Sequence, residues 1–352
     1  MANYTTVDKC TANFNTKLYT GNGGTQSVTG VGFQPDWVWI KSRTDVSNHN
    51  VYDVVRGVSG GKLKTNTSDF QSYNAQDLTA FGTDGFTVGS NNEVNGNGKN
   101  LVSWNWKAGN SAGSTNNDGN ITSTVSVNTA AGFSIVKYTG TGSVQTVGHG
   151  LGVAPKVIII KDYNASVNSQ WQVGNDEFGW TKRLTLSETN TIATTSGIWN
   201  DTGPTSSVFT IGTSGAVSES GGQFIAYCFA PKTGFSQMGW FRGSGQDQGT
   251  FVTCSFKPKI LFVKNTEQGG DDWHIFDDQR SASGGGNIIK YRLFPNNNSA
   301  ETTTDNMGFD FYSNGFQVTD NLGAINNFNE GIWYMAFGQS LVGSNNVPAT
   351  AR

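Results

Sequence analysis

The chain is poor in charge. Of its 352 residues, 14% are Asp, Glu, Lys or Arg, against about 25% in an average globular protein. The net charge is -3 and no basic stripe runs through it, so a nucleic-acid partner is not expected. Cysteine is scarce too. Cys10, Cys228 and Cys254 are odd in number and widely scattered, which argues against a disulfide framework. Cys228 and Cys254 stand in apolar, strand-like surroundings and are expected to be buried free thiols. The longest apolar runs are strand-sized, such as Val157-Ile158-Ile159-Ile160, so no membrane span is predicted. Met1 to Thr6 is polar with no apolar signal core, and the expectation is synthesis in a cytoplasm without a classical export signal. Helical periodicity and runs of Ala, Leu, Glu and Lys are missing, so no helix is predicted. Phosphate loops, Gly-x-Ser-x-Gly elbows and Cys-x-x-Cys pairs are absent as well.

What fills the space is Gly (46 residues), with Asn, Ser and Thr, and aromatics at 12% that include 10 Trp and 22 Phe. That much apolar mass excludes a disordered chain. Turn formers with aromatics is an all-β balance. One phrase occurs three times. Tyr19-Thr20-Gly21, Tyr138-Thr139-Gly140 and Phe241-Arg242-Gly243 each lead to a proline (Pro35, Pro155, Pro258), an apolar run and a lysine (Lys41, Lys161, Lys264). The lysine always follows the proline by six residues, and the aromatic precedes it by 22, 23 and 23. Such a period means one structural unit duplicated.

Each unit reads as short strands. Trp37 to Ile40 is the first strand of unit one, Val51 to Val55 follows, and Asp84-Gly85 marks a hairpin within Phe81 to Val88. Leu101 to Trp106 alternates with period two. Unit three repeats the plan with Ile260 to Val263, Ile275 to Asp277, Asn314-Gly315 and Ile332 to Phe337. Unit two departs most, with Trp171 to Val173, Val208 to Ile211 and Phe224 to Phe229 in those places. The predicted fold is all-β, three tandem β-sandwich repeats of jelly-roll or lectin-like type. They span 14–109, 133–232 and 233–340, with an N-terminal arm at 1–13, a polar linker at 110–132 and a tail at 341–352.

Candidate chemistry is thin. His49, His149 and His274 fall at different points with no metal-ligand spacing, so no metal is expected. Asp53 with Arg56 and Asp277 with Arg280 recur at one spacing, whereas unit two has Asn175 and no matching Arg. Structural ion pairs are expected there. Asp271-Asp272 and Asp277-Asp278 lack the spacing of a calcium loop. Trp37, Trp39, Trp104 and Trp106 alternate on two strands and are assigned to the core. Trp171 and Trp273, each at the same point of its unit beside polar residues, are the candidates for stacking on a sugar. Pro35, Pro155 and Pro258 are expected to start the core strand of each unit, and Lys41, Lys161 and Lys264 to end it and return the chain to water.

The phrases Tyr19-Thr20-Gly21-Asn22-Gly23, Gly32-Phe33-Gln34-Pro35-Asp36 and Asp53-Val54-Val55-Arg56-Gly57 resemble ones found in marine tailed bacteriophages. So do Gly119-Asn120-Ile121-Thr122-Ser123, Ala131 to Val136, Val147 to Gly152 and Val347-Pro348-Ala349-Thr350-Ala351-Arg352. The resemblance covers nearly the whole chain. It implies a repeat-containing virion structural or tail-fibre-like protein and supplies no catalytic residues to carry over, and no cofactor is expected. The expected role is a non-enzymatic surface protein of the virion that contacts other virion proteins and host-surface polysaccharide. A capsid decoration protein is the alternative, and a glycan hydrolase a further one. Fibre-like phage proteins resemble trimers as a class, so a homotrimer is expected. A monomer with an internal pseudo-threefold arrangement is the other option.

Overall fold

Turn formers and half-apolar strands produce an almost purely antiparallel β-structure. The computed structural model describes residue 7 and residues 9–164, 169–281, 287–303, 308–319 and 321–340. The expected tail at 341–352 lies outside the described residues. Among them, no helix is long and apolar enough to cross a membrane.

Three large sheets are built on one plan. The first runs, in spatial order, Phe14–Thr20, Asn100–Trp106, Trp37–Ser42, Asn50–Asp53 and Leu63–Lys64. In the third the order is Ser236–Arg242, Gly331–Gln339, Lys257–Asn265 and His274–Asp277. The second holds the corresponding Phe133–Thr139, Gln223–Phe229, Val157–Asp162, Gln172–Asn175 and Lys182–Thr185. Beyond Phe133–Thr139 it gains Ser123–Asn128 and Ser114–Asn116, and Ala193–Thr194 extends its other edge. Those two added strands correct the expectation of a linker at 110–132. Ser123 to Asn128 pairs with Phe133–Thr139, and its Val125 packs in the core of the second repeat. A valine on every second position of a polar stretch is enough to make a half-buried strand.

Each large sheet is covered on one face by a small one. These are Gln26–Thr29 with Gly85–Val88 and Leu78–Gly82, then Gln145–Gly148 with Val208–Ile211. In the third repeat Phe251–Thr253, Gly315–Val318, Phe309–Tyr312 and Ile288–Ile289 form it. Both Gly-marked hairpins form, with Gly85 and Gly315 each opening the return strand. Among the described residues, four single-turn α-helices also occur, where none was predicted: Asn92–Asn95, Ser196–Trp199, Gly215–Ser218 and Gly323–Asn326. Four residues are too few for helical periodicity to show in sequence.

The other face of all three large sheets points into one shared core. Trp37, Trp39, Trp104 and Trp106 of the first meet Ile159, Tyr227 and Phe229 of the second and Phe262, Met335 and Phe337 of the third. Trp37 stacks on Tyr227 at 4.6 Å between centroids, Trp39 lies 5.7 Å from Phe262, and Phe229 lies 5.8 Å from Phe337. The alternate residues of the same strands, such as Val38 and Ile40, fill the local core under the small sheet with Phe86 and Val88. A strand buried on both faces must be apolar at every position, which is why Trp37-Val38-Trp39-Ile40 shows no alternation. The repeats are therefore three sides of one triangular body and not beads on a string.

Val7 and Cys10, from the expected N-terminal arm, join the shared core. The Cys10 amide donates to Gln339 Oε1 at 2.7 Å. Cys10, Cys228 and Cys254 are all free and buried.

Candidate functional site

The recurrent phrase is explained where its pieces meet. Gly21, Gly140 and Gly243 press against the single-turn helices, so that an added Cβ would stand 2.2, 2.4 and 2.1 Å from the carbonyl oxygens of Gly96, Glu219 and Asn327. The tyrosine two residues earlier donates to the same turn. Tyr19 reaches the Val94 carbonyl at 2.7 Å and Tyr138 the Val217 carbonyl at 2.9 Å.

The lysines do not return the chain to water. Lys41, Lys161 and Lys264 are all 0% exposed. The reason is the two-residue period: Lys41 follows Trp37 and Trp39 on the face turned to the shared core, as Lys161 follows Val157 and Ile159. Each ammonium is held by backbone carbonyls rather than by a carboxylate. Lys41 donates to Ser42 and Asp45 at 2.7 and 3.2 Å, and Lys161 to Ser68 at 2.8 Å and to Ser169. Lys264 donates to Thr189 at 3.5 Å and Asp271 at 3.0 Å. Two of the three thus bridge to the preceding repeat. Burial pulls all three down from 10.5 to about 8.

Around them the seams between repeats match bond for bond. Two residues after each lysine, Tyr163, Thr266 and Arg43 accept from the amides of Gln71, Ile192 and Glu301. The Ser169, Gly270 and Ser47 amides donate to Ser68, Thr189 and Asn298. Each seam thus joins one repeat to the next, and the third closes on the first.

Trp171 and Trp273 belong to this ring and cannot stack on a sugar. They are 0% and 2% exposed. The Trp171 indole donates across one seam to the Lys64 carbonyl at 2.9 Å, and Trp273 across the next to Thr185 at 3.0 Å. At the third seam the position is His49, whose Nδ1 accepts from Trp39 at 2.9 Å. Desolvation and the cations Lys41 and Arg280 hold His49 far below its usual pKa, against a pull from the Phe294 carbonyl. The placing of Trp171 and Trp273 at one point of the repeat thus reflects a shared seam contact.

The Asp–Arg pairs form as expected. Asp53 Oδ2 lies 2.6 Å from Arg56 Nε and Asp277 Oδ2 2.5 Å from Arg280 Nε, with all four side chains buried. Both carboxylates also take a donor from a neighbouring repeat. Tyr227 donates to Asp53 at 2.9 Å and Trp104 to Asp277 at 3.0 Å. The residue matching Tyr227 and Trp104 in the third repeat is Met335. It cannot donate, and the position it would face is Asn175, the site where the second repeat lacks the Asp.

Of the prolines, Pro35 and Pro155 end two residues before their strands, as expected. Pro258 lies inside Lys257–Asn265, and the register shifts between Pro258 and Ile260. A bulge there absorbs the missing N–H.

One open cleft is present in the second repeat, and no motif pointed to it. It encloses about 350 Å³ and is lined by Asp162, Gln170, Gln172, Arg183, Glu188 and Glu219, among others. Arg183 donates to Gln172 and Thr185, both at 2.9 Å. Asp162 is 1% exposed, accepts from the Asn164 amide through Oδ1 at 3.1 Å, and leaves Oδ2 without a partner. Burial raises it to about 6. The one sequence signal was position: Asp162 directly follows a recurrent lysine, where the other repeats have Ser42 and Asn265. Among the described residues, no group of three or more His, Cys, Asp or Glu is arranged to hold a metal ion.

No curated protein matches the sequence. A family model described as a domain of unknown function, DUF7483, matches residues 9–340, nearly the whole of the triangular body, and the chain belongs to that family.

Proposed function

We propose that this is a non-enzymatic surface protein of a virus particle, tail-fibre-like or spike-like, that contacts the host surface. The observation that carries the reading is the fate of the recurrent polar residues. The lysines, the Asp–Arg pairs and the placed tryptophans are spent on the seams that lock three repeats into one body. Such a chain fixes a rigid block and leaves its outer loops outside the seams, which suits an appendage exposed to a changing host. The phrase resemblance to tailed-phage proteins supports the same setting.

A second reading is a capsid decoration protein, favoured by the pseudo-threefold shape, which complements threefold positions of a lattice. The closed internal triangle also supports a monomer over a homotrimer. A sedimentation mass near 37.7 kDa is expected, and a threefold mass overturns this. Low-resolution images of particles carrying labelled protein test the site. Density at the tail is expected, density over the capsid faces selects decoration, and absence from the particle overturns both. Hydrolysis of host envelope polysaccharide by the purified chain overturns the non-enzymatic reading.

A further inference from the structure

We propose that the cleft of the second repeat is a binding site for a neutral, hydroxyl-rich ligand, the end of a saccharide. The argument begins with the first repeat, where the same space is filled. There Glu93, on the turn Asn92–Asn95, pairs with Lys62 at 2.6 Å and accepts from Asn48 at 2.8 Å. Strand register and the single-turn helices place Arg183 at the position of Lys62, Gln170 at that of Asn48 and Ala216 at that of Glu93. The cation and the amide are kept, while the carboxylate that plugged the gap is reduced to a methyl group. Arg183 is left with uncharged partners and no ion pair among the described residues.

The second repeat also adds an acceptor. Asp162 lines the cleft, is almost wholly buried, and leaves its buried Oδ2 with nothing bonded to it. A buried carboxylate oxygen without a donor is costly, and a bound hydroxyl would relieve it. The lining then offers donors from Arg183 and the Gln170 and Gln172 amides, and acceptors from Asp162 and Glu188, with Glu219 also part of it. A free anion would meet three carboxylates, and a free cation would meet Arg183. Sugar hydroxyls donate and accept at once and use both sets. The volume is at the low end for small-molecule pockets, about 300–1,000 Å³, which fits a mono- or disaccharide end. Among the described residues no aromatic lines it, so affinity should be in the millimolar range for one site.

The inference rests on the host-contact reading only for the source of the sugar. The test is ligand-observed NMR on the full chain. The panel is neutral hexoses, N-acetylhexosamines and their disaccharides, with glucuronate and cadaverine as charged probes. At least one neutral saccharide is expected to bind. Ala216→Glu, which rebuilds the plug of the first repeat against Arg183, should weaken binding at least tenfold with an unchanged melting temperature. Ala324→Glu, at the matching place in the third repeat, should leave it intact. Should Ala216→Glu fail to fold, Asp162→Asn should weaken binding in its place. No neutral sugar bound at tens of millimolar, binding indifferent to both cleft variants, or binding of a charged probe alone overturns the proposal. Saccharide binding by a protein absent from particles would retain this site and remove the virion reading.

Discussion

Lys161 shows how a residue can be located by sequence and still be misread. Its spacing from Pro155 is visible at once, but its environment depends on a second repeat folding over it. A strand-ending lysine ordinarily lies along the surface with its charge in water. Here the Ser68 carbonyl of the first repeat supplies an acceptor that sequence cannot place. The consequence for mutation is direct. Lys161→Ala leaves the Ser169 carbonyl without the lysine donor and the Ser68 carbonyl with only the Ser169 amide, and the cost should be about 1–3 kcal/mol in urea unfolding, not the few tenths typical of a surface charge. The same burial sets a pH dependence. A lysine at about 8 in the folded protein and 10.5 unfolded binds its proton more weakly in the native state, so stability rises with pH above 8. Between pH 7 and 9 the gain should be about 1 kcal/mol per lysine. The buried Cys10, Cys228 and Cys254 thiols, pushed up from 9, oppose it above pH 9 because only the unfolded chain then ionises them. Urea midpoints at pH 7, 8 and 9 should climb, and Lys161→Met should flatten the climb by about a third. A flat or falling profile in the parent protein would mean the ammonium groups are solvated.

At the scale of elements, strand identity was largely readable and strand environment was not. Val208–Ile211 lies where its apolar run predicted, and the central strands extend two residues beyond their apolar cores in the first two repeats, while that of the third also starts three residues early, at Lys257. Ser123–Asn128 was hidden because its neighbours are linker-like and only Val125 and Val127 betray it. The single-turn helices escaped for want of length, although the glycines facing them were in plain view. These glycines carry the second prediction. Gly140→Ala would drive a methyl group into the Glu219 carbonyl and the Phe224 ring, and should destabilise by about 2–4 kcal/mol, as overpacking and backbone displacement do. Gly24→Ala, whose Cβ would meet only the end of the Asn22 side chain at 3.7 Å, should stay within about 0.5 kcal/mol. Thermal melts of the two variants decide this, and equal losses would remove the glycine–turn contact as the reason for the phrase.

The whole molecule differs from its parts in having a core that belongs to no single repeat. Sequence revealed the threefold repetition but not that the copies face one another, because the inward residues Trp39, Ile159 and Phe262 are as apolar as any local core would require. Unfolding should be a single transition, with calorimetric and van't Hoff enthalpies in agreement. A fragment of residues 9–109 should not fold alone, since Trp37, Trp39, Trp104 and Trp106 would lie open to water. Phe262→Ala, in the third repeat, should cost about 3–5 kcal/mol and lower the one melting transition. Separate transitions for the three repeats would restore the picture of independent domains. The candidate cleft belongs to this scale too. It is legible only by laying one repeat on another and asking what stands where Glu93 stands.

Closing the triangle within one polypeptide has a further effect. In a trimer of identical chains, every substitution appears three times, so a new pocket comes with two copies of itself. Here each corner is encoded separately. The exchange of Glu93 for Ala216 altered one side while Lys62 and Glu93 continued to seal another. The protein can hold one side sealed as scaffold and let another explore ligands, keeping the symmetry of its frame while giving up the symmetry of its surface.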